Sequence, residues 1–175
     1  MSFNVLVTHE PGRSNYRHAV SELRRLIGEV VVVDTAPSVI LIKVRDPYEA
    51  IGALLERASE ITPVIYRIVP IDLVLNPFVE DVAEAAWKLA EERIPREATY
   101  RVTLHGRLYW RETRMPASSR DAIEVIARNI ARKVSLTSPD YQVYVRSVRL
   151  YHRKRVAALA VAPTRMFISL RSGKP

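Results

Sequence analysis

Apolar positions along the 175-residue chain change period several times, and each change marks an element. Phe3 to Thr8 is an apolar run of strand length, broken by His9-Glu10-Pro11-Gly12-Arg13. Ser14 is placed to cap a helix with Tyr16, Ala19, Val20, Leu23, Leu26 and Ile27 on one face. Arg17, Ser21, Arg24 and Arg25 fall on the other face, and Gly28 stops the helix because it enters the left-handed region cheaply. Two Val- and Ile-rich strands follow, Glu29 to Thr35 and Val39 to Arg45, joined at Ala36-Pro37-Ser38. Asp46-Pro47-Tyr48-Glu49 opens a second helix with a cap, a proline at the first helical position and an acid in the first turn. Ile51, Leu54, Leu55 and Ala58 form its apolar stripe. Val64 to Val69 is a further strand, extended or bulged through Pro70 to Leu75.

The order β-α-β-β-α-β is the split βαβ pattern of ferredoxin-like folds, which predicts a first domain over residues 1–75. Residues 76–175 form a second, α/β domain in this reading, and the fold class is α+β. Asn76-Pro77 is expected to cap a helix that turns Val79, Val82, Ala83, Ala86, Leu89 and Ala90 inward, with Trp87 packing at the edge of that stripe. From Thr99 to His105, Tyr100, Val102 and Leu104 alternate with polar residues, the mark of a half-buried strand. After the loop Gly106 to Pro116, Ser118 or Ser119 starts a helix whose stripe is Ile123, Ile126, Ala127, Ile130 and Val134; Ser118 and Asp121 have capping-box spacing. Arg132 and Lys133 suit its C-terminal end electrostatically. Tyr141 to Leu150 is a strand entered through Ser138-Pro139-Asp140. A basic turn, Tyr151 to Arg155, leads into the strand Val156 to Ala162; Thr164 to Arg171 is a last strand and Ser172 to Pro175 a tail.

Charge divides this pattern unevenly. The chain carries 27 Lys and Arg against 19 Asp and Glu, a net charge of +8. From Ala98 onward there are 16 bases against 4 acids, a net +12, whereas residues 1–97 hold 11 against 15, a net −4. A positive block of that size is an electrostatic footprint for a polyanion. Of the bases 22 are Arg and 5 Lys, and the arginine fork grips phosphate and stacks on bases, which suits RNA. Genomic G+C bias or adaptation to heat accounts for the amount of arginine but not for its lopsided placement. The absence of Cys excludes disulfides and thiolate metal sites and fits a reducing compartment. The N-terminus meets an acid too early for a secretory signal, and the runs Val30 to Val33 and Ala157 to Ala162 are too short for a membrane span of ~20 residues. A soluble cytoplasmic protein is expected.

The candidate chemistry lies in the loop Gly106 to Pro116, where Arg107, Arg111 and Arg114 interleave with Tyr109 and Trp110. Such a set neutralises phosphate and stacks on unpaired bases; a hairpin with a solvated polar face and Trp110 half in the core has the same composition. The helix that follows favours the RNA reading, because arginines before a helix N-terminus suit anion capture. Arg120 sits in the first turn of that helix, where a base opposes the dipole, which makes it a contact candidate. Arg153, Lys154 and Arg155 of the basic turn, and Arg165, complete the expected RNA-binding set. No GxxxxGK or GxGxxG loop is present, and His9, His18, His105 and His152 have no metal-ligand spacing. No catalytic residue, metal or cofactor is therefore expected, although a histidine-assisted ribonuclease using His105 or His152 is a minor alternative.

From Thr99 onward the chain resembles the THUMP domain of thiouridine synthases, RNA methyltransferases and pseudouridine synthases. The segments that carry the resemblance are GRLYWRETR (residues 106–114), SSRDAIEVIARNI and KVSLTSPDYQVYV. In such proteins a ferredoxin-like domain usually precedes THUMP, as the pattern of residues 3–75 suggests. The resemblance implies binding of tRNA, commonly at its 3′ acceptor end, while a separate domain does the chemistry; the chain's length leaves no space for that domain. It is nearest to the stand-alone, archaeal-like THUMP protein that assists tRNA cytidine acetylation. The function so implied is a non-catalytic tRNA-binding adaptor, not an enzyme, that presents tRNA to a separate RNA cytidine acetyltransferase during tRNA modification. A structural or ribosome-associated RNA-binding protein is the alternative the charge block permits.

Overall fold

The computed structural model describes residues 2–170. In chain order the elements are β1 (Val5–His9), α1 (Arg13–Ile27), β2 (Val31–Ala36), β3 (Val39–Lys43), α2 (Pro47–Glu56), β4 (Ile65–Pro70) and β5 (Leu73–Leu75). Then follow α3 (Val79–Arg93), β6 (Thr99–His105), α4 (Ser119–Arg128), β7 (Lys133–Val134), β8 (Tyr141–Arg149), β9 (Arg155–Pro163) and β10 (Ile168–Ser169). The fold is mixed α+β, with two five-stranded sheets.

Among the described residues the chain divides into two compact units, one made of residues 2–71 and 165–170, the other of Asp72–Thr164. The hydrophobic pattern puts the division after Leu75 and keeps the C-terminus in the second domain. The structure differs because the apolar run from Val64 to Leu75 is two strands, β4 and β5, that belong to different sheets. Ile71 is buried, and Asp72 turns its carboxylate inward to accept the Val161 N–H at 2.9 Å and to pair with Arg93 at 2.7 Å.

In the first unit the strand order is β10-β4-β1-β3-β2, and every neighbouring pair is antiparallel. β1 lies between β3 and β4, and all five of its residues are buried. α1 packs against β1 and α2, and α2 against β4. The Asp46 side chain accepts hydrogen bonds from the Tyr48 and Glu49 N–H groups at 3.0 and 3.2 Å, so the expected cap is present. α1 starts one residue before Ser14, with Gly12 at the cap position and no side-chain cap. Leu6, Leu23, Ile40, Leu41, Ile42, Ile51 and Leu54 are fully buried, and truncating any of them to Ala would cost about 2–5 kcal/mol. At the C-terminal end a short 3-10 turn, Thr164–Met166, precedes the two-residue β10. That shortens the strand expected from Thr164; Arg171 and the tail Ser172 to Pro175 lie outside the described residues.

In the second unit the order is β5-β9-β8-β6-β7; β8 and β7 run parallel to β6, and the β8–β9 and β5–β9 pairs are antiparallel. α3 and α4 pack on each other, α3 against β9 and α4 against β6. Val82, Ala86, Tyr100, Ile126, Val143 and Leu159 are among the buried residues of this core. Burial pushes the Tyr100 phenol above its ordinary pKa. α3 has Phe78 at its cap position with no side-chain cap, in place of Asn76-Pro77, and Trp87 is 41% exposed instead of packed. α4 keeps the Ser118 cap but ends at Arg128, six residues before Val134. Ile130 is still buried, but Lys133 and Val134 leave the helix and pair with Thr99 and Tyr100 as β7. Arg132 is therefore not a helix-end charge: its side chain is 3% exposed and donates to the Ile94 and Ala131 carbonyls.

Candidate nucleic-acid interface

The parallel pairing of β6 and β8 decides where the basic segments meet. β6 ends at His105 beside Arg146, and β8 continues past it to Arg149 before turning into β9 at Arg155. The loop that leaves β6 and the turn that leaves β8 therefore start from the same end of the sheet. The loop then runs into the N-terminus of α4, as a crossover between parallel strands requires. Loop, helix N-terminus and β8–β9 turn form one rim at the C-terminal end of these strands, the end at which open α/β sheets commonly hold ligands.

The rim is built closely. Gly106 has φ +82°, and a Cβ there would lie 2.9 Å from the Ser147 carbonyl oxygen, so only glycine lets the loop pass β8 at this height. Leu108 is fully buried and anchors the loop in the core. The Tyr109 N–H donates to the Pro77 carbonyl and the Val79 N–H to the Tyr109 carbonyl, both at 2.9 Å; Ala117 N–H reaches the Leu108 carbonyl at 2.9 Å. Between these anchors, the Trp110 N–H donates to the Met115 carbonyl at 2.9 Å across the tip, and the Arg114 N–H donates to the Trp110 carbonyl. Trp110 is half-buried and packs on the core, while Arg107, Arg111, Arg114 and Arg120 are exposed.

The arginines differ in what holds them. Arg111 is tied to the first turn of α3: its N–H donates to the Glu80 carboxylate at 2.9 Å and its guanidinium pairs with Asp81. That bond to Asp81 raises the Arg111 pKa further above its ordinary value. Arg114 sits in the left-handed region at φ +63°, with its guanidinium 4.7 Å from the Phe78 ring centroid. Arg155 places its guanidinium 5.8 Å from the Tyr109 ring centroid and donates to Ser147 Oγ at 3.3 Å, so it links the β8–β9 turn to the loop. Arg153 is also left-handed, at φ +69°, in a turn closed by the Leu150 N–H to Lys154 carbonyl bond. Among the described residues, the side chains of Arg107, Arg120, Arg153 and Lys154 have no hydrogen-bond or ion-pair partner. They are free to meet a ligand.

Arg165 does not join this rim. β9 carries the chain away from it to Pro163, which pairs with Tyr141 at the opposite end of β8, about 30 Å along a nine-residue strand. Arg165 follows in the short turn beyond and belongs to the first unit. Tyr151, 86% exposed at the tip of the turn, belongs to the basic turn that the sequence marks, whereas Phe78 is a rim residue that the sequence does not single out. Phe78 could only be found through its contact with Arg114, across 36 residues of chain.

Among the described residues no group of three or more His, Cys, Asp or Glu is arranged to hold a metal ion, and no helix is long and apolar enough to cross a membrane. No family model and no curated protein matches the sequence. Solved structures do. PH1313 from Pyrococcus horikoshii Ot3 matches with a TM-score of 0.58 at 19% identity, over 92% of this chain and 55% of that one. A 4-thiouridine synthetase, solved as an RNA complex with bound ATP, matches with a TM-score of 0.52 at 12% identity, over 93% of this chain and 42% of that one. A predicted N6-adenine-specific DNA methylase from Listeria monocytogenes str. 4b F2365 gives 0.54 at 16% identity, over 91% of this chain and 40% of that one. The chain thus spans about half the length, or less, of the structures it matches. At these identities the likeness is one of fold, and it supports a THUMP-like fold for this chain.

Proposed function

We propose that the chain is a non-catalytic tRNA-binding adaptor, with a ferredoxin-like first domain and a THUMP second domain, that presents tRNA to a separate modifying enzyme. The observation that carries the RNA reading is the convergence of Arg107, Arg114, Arg120, Arg153, Lys154 and Arg155 on one rim, with Trp110, Tyr109 and Phe78 among them. Guanidinium groups interleaved with half-exposed rings suit a single strand, whose phosphates they neutralise and whose splayed bases they stack on. One of the matching structures is an RNA complex, which agrees with this reading. Arg111 contributes once RNA draws it from Asp81. Arg165 is a weaker member of the set, since it sits apart from the rim.

The unpaired 3′ acceptor end of tRNA is the ligand the resemblance implies, and a cytidine acetyltransferase is the enzyme. Gripping one end of a tRNA raises the effective concentration of a distant cytidine at a bound enzyme's active site, provided that both can engage at once. The test combines tRNA, acetyl donor, a candidate acetyltransferase and this protein, omitting each in turn. Acetylation should depend on this protein and fall when the 3′-terminal nucleotides are trimmed. Equal acetylation without it would contradict the adaptor role for that enzyme. Stronger binding of ribosomal RNA fragments than of tRNA would favour a structural or ribosome-associated protein instead.

A further inference from the structure

The first unit holds a surface that RNA binding at the rim does not use. β2 ends its sheet and pairs only with β3 among the described residues. Edge strands present unpaired N–H and C=O groups, and natural ones are blunted by charge or by a bulge. β2 has a bulge between Val32 and Asp34, yet its first half is Val31-Val32-Val33, with Val31 50% exposed. Tyr16, Arg17, Val20, Ser21 and Arg24 of α1 enclose with Val32 a groove of about 430 Å³. Arg17, Ser21 and Arg24 recur at i, i+4 and i+7, so they form one stripe along the helix. The next residue, Arg25, pairs with Glu22 at 2.9 Å, but the side chains of Arg17 and Arg24 have no partner among the described residues. No acid lines the groove.

We propose that this groove docks an extended acidic segment of a protein partner, which adds as a further strand to β2. An edge strand beside a helix offers main-chain groups for affinity and a groove for alternate side chains, the arrangement used in strand addition. Arg17 and Arg24 stand about 10.5 Å apart along the helix axis. Same-face side chains of an added strand lie about 7 Å apart at a spacing of two residues and about 13 Å at four. An Asp or Glu pair at either spacing therefore reaches both guanidinium groups on the face that Val32 shares with α1, while the alternating β-branched residues of the same segment cover Val31 on the other face. RNA would gain the two cations but nothing from the main-chain row or the valines, and the Tyr16 ring is already packed against His9 with centroids 6.1 Å apart. The inference rests on the adaptor reading, which needs a protein partner, and names how that partner is recognised.

Random decapeptides displayed on phage and selected on the full chain test it without any known partner. The selected peptides should alternate β-branched residues with Asp or Glu, should perturb amide resonances of β2 and α1 in a labelled protein, and should bind at least tenfold more weakly to an Arg17→Glu, Arg24→Glu variant. Both arginines are exposed, so that variant should keep its fold, and it should keep its affinity for tRNA. In the acetylation assay, stimulation by the variant should be lost while tRNA binding persists. Failure to select peptides, selection of basic ones, or binding that ignores the charge reversal overturns the groove. So does a loss of tRNA affinity in the variant, which would make the groove an RNA surface. If the unaltered protein stimulates no acetyltransferase yet the acidic peptides bind β2, the adaptor reading fails and the groove stands.

Discussion

The two units are built from similar parts, five strands and two helices each, but they differ in strand direction and in how charge is held. In the first, all neighbouring strands are antiparallel, and Arg25 and Arg57 are held by Glu22 and Glu60 in one exposed network. In the second, β6 and β8 are parallel, which gathers a loop, a helix N-terminus and a turn at one end, where four cations have no partner among the described residues; the partnerless Arg17 and Arg24 of the first unit lie along one helix, away from any such convergence of segments. The linear charge split does not follow this division. Residues 72–164 hold 16 basic and 11 acidic residues, and seven of those acids fall between Asp72 and Glu97, on and beside α3. The contrast that matters thus lies within the second unit, between an acidic helix and a basic rim. Sheet topology, more than domain charge, decides where a polyanion can sit.

The largest expected effect comes from the unpartnered cations. Changing Arg107, Arg120, Arg153 and Lys154 together to Ala should weaken tRNA binding strongly and flatten the log–log salt dependence by up to about 3, at about 0.7 per phosphate contact on a single strand. The comparison variant, Arg25→Ala with Arg57→Ala, should leave both affinity and slope unchanged; an equal loss there would erase the distinction between the units.

Next is Gly106→Ala. A left-handed φ and the 2.9 Å approach to Ser147 should together cost about 1–3 kcal/mol in thermal or denaturant unfolding and displace the loop, lowering RNA affinity as well. Unfolding unchanged from the parent would mean the rim is not held against β8 as described.

Arg114→Gly and Arg153→Gly should show the opposite pairing of effects. Both positions are left-handed, so glycine should stabilise the fold by roughly 1 kcal/mol each while removing a cation from the rim and weakening RNA binding. Stabilisation without loss of affinity would remove that arginine from the interface.

A smaller effect is expected at Asp81. Asp81→Asn should release Arg111 and raise RNA affinity more than Glu84→Gln, which makes the same charge change on α3 but pairs with Lys88. In an Arg111→Ala background the two should become equal, as measured by a double-mutant cycle.

The smallest effect is a pH dependence of the first unit. Arg25 holds Glu22, and Arg57 with Arg25 holds Glu60, below the ordinary carboxylate pKa of 4.5. A lowered folded-state pKa contributes stability above 4.5 that is lost as pH falls through the folded values. Glu22→Gln with Glu60→Gln should therefore slightly flatten the acid side of the stability profile, and should leave RNA binding at neutral pH unchanged.

Much of this architecture is legible in the sequence because its signals are local. Asp46 and Ser118 cap their helices as their spacing predicts, and the alternation from Thr99 to His105 is a strand. Apart from the misplaced caps of α1 and α3 and the exposure of Trp87, the differences involve partners distant in sequence. Ile130 continues the helical stripe of α4, but pairing of Lys133 and Val134 with β6 ends the helix earlier. Nothing local separates β4 from β5, because what places Asp72 is Val161 and Arg93. Within the site, periodicity identified the loop arginines but not their states: Arg111 is claimed by Asp81, thirty residues away, and Arg165 is carried off by β9.

Whether RNA sits on the rim of the second unit is read most directly from an ultraviolet crosslinking map of tRNA on the full chain, analysed by mass spectrometry. Crosslinks are expected at Phe78, Tyr109, Trp110 and Tyr151, with β1 to β4 and their helices nearly silent. Crosslinks concentrated in residues 2–71, or on the Arg165 side of β9, would contradict it.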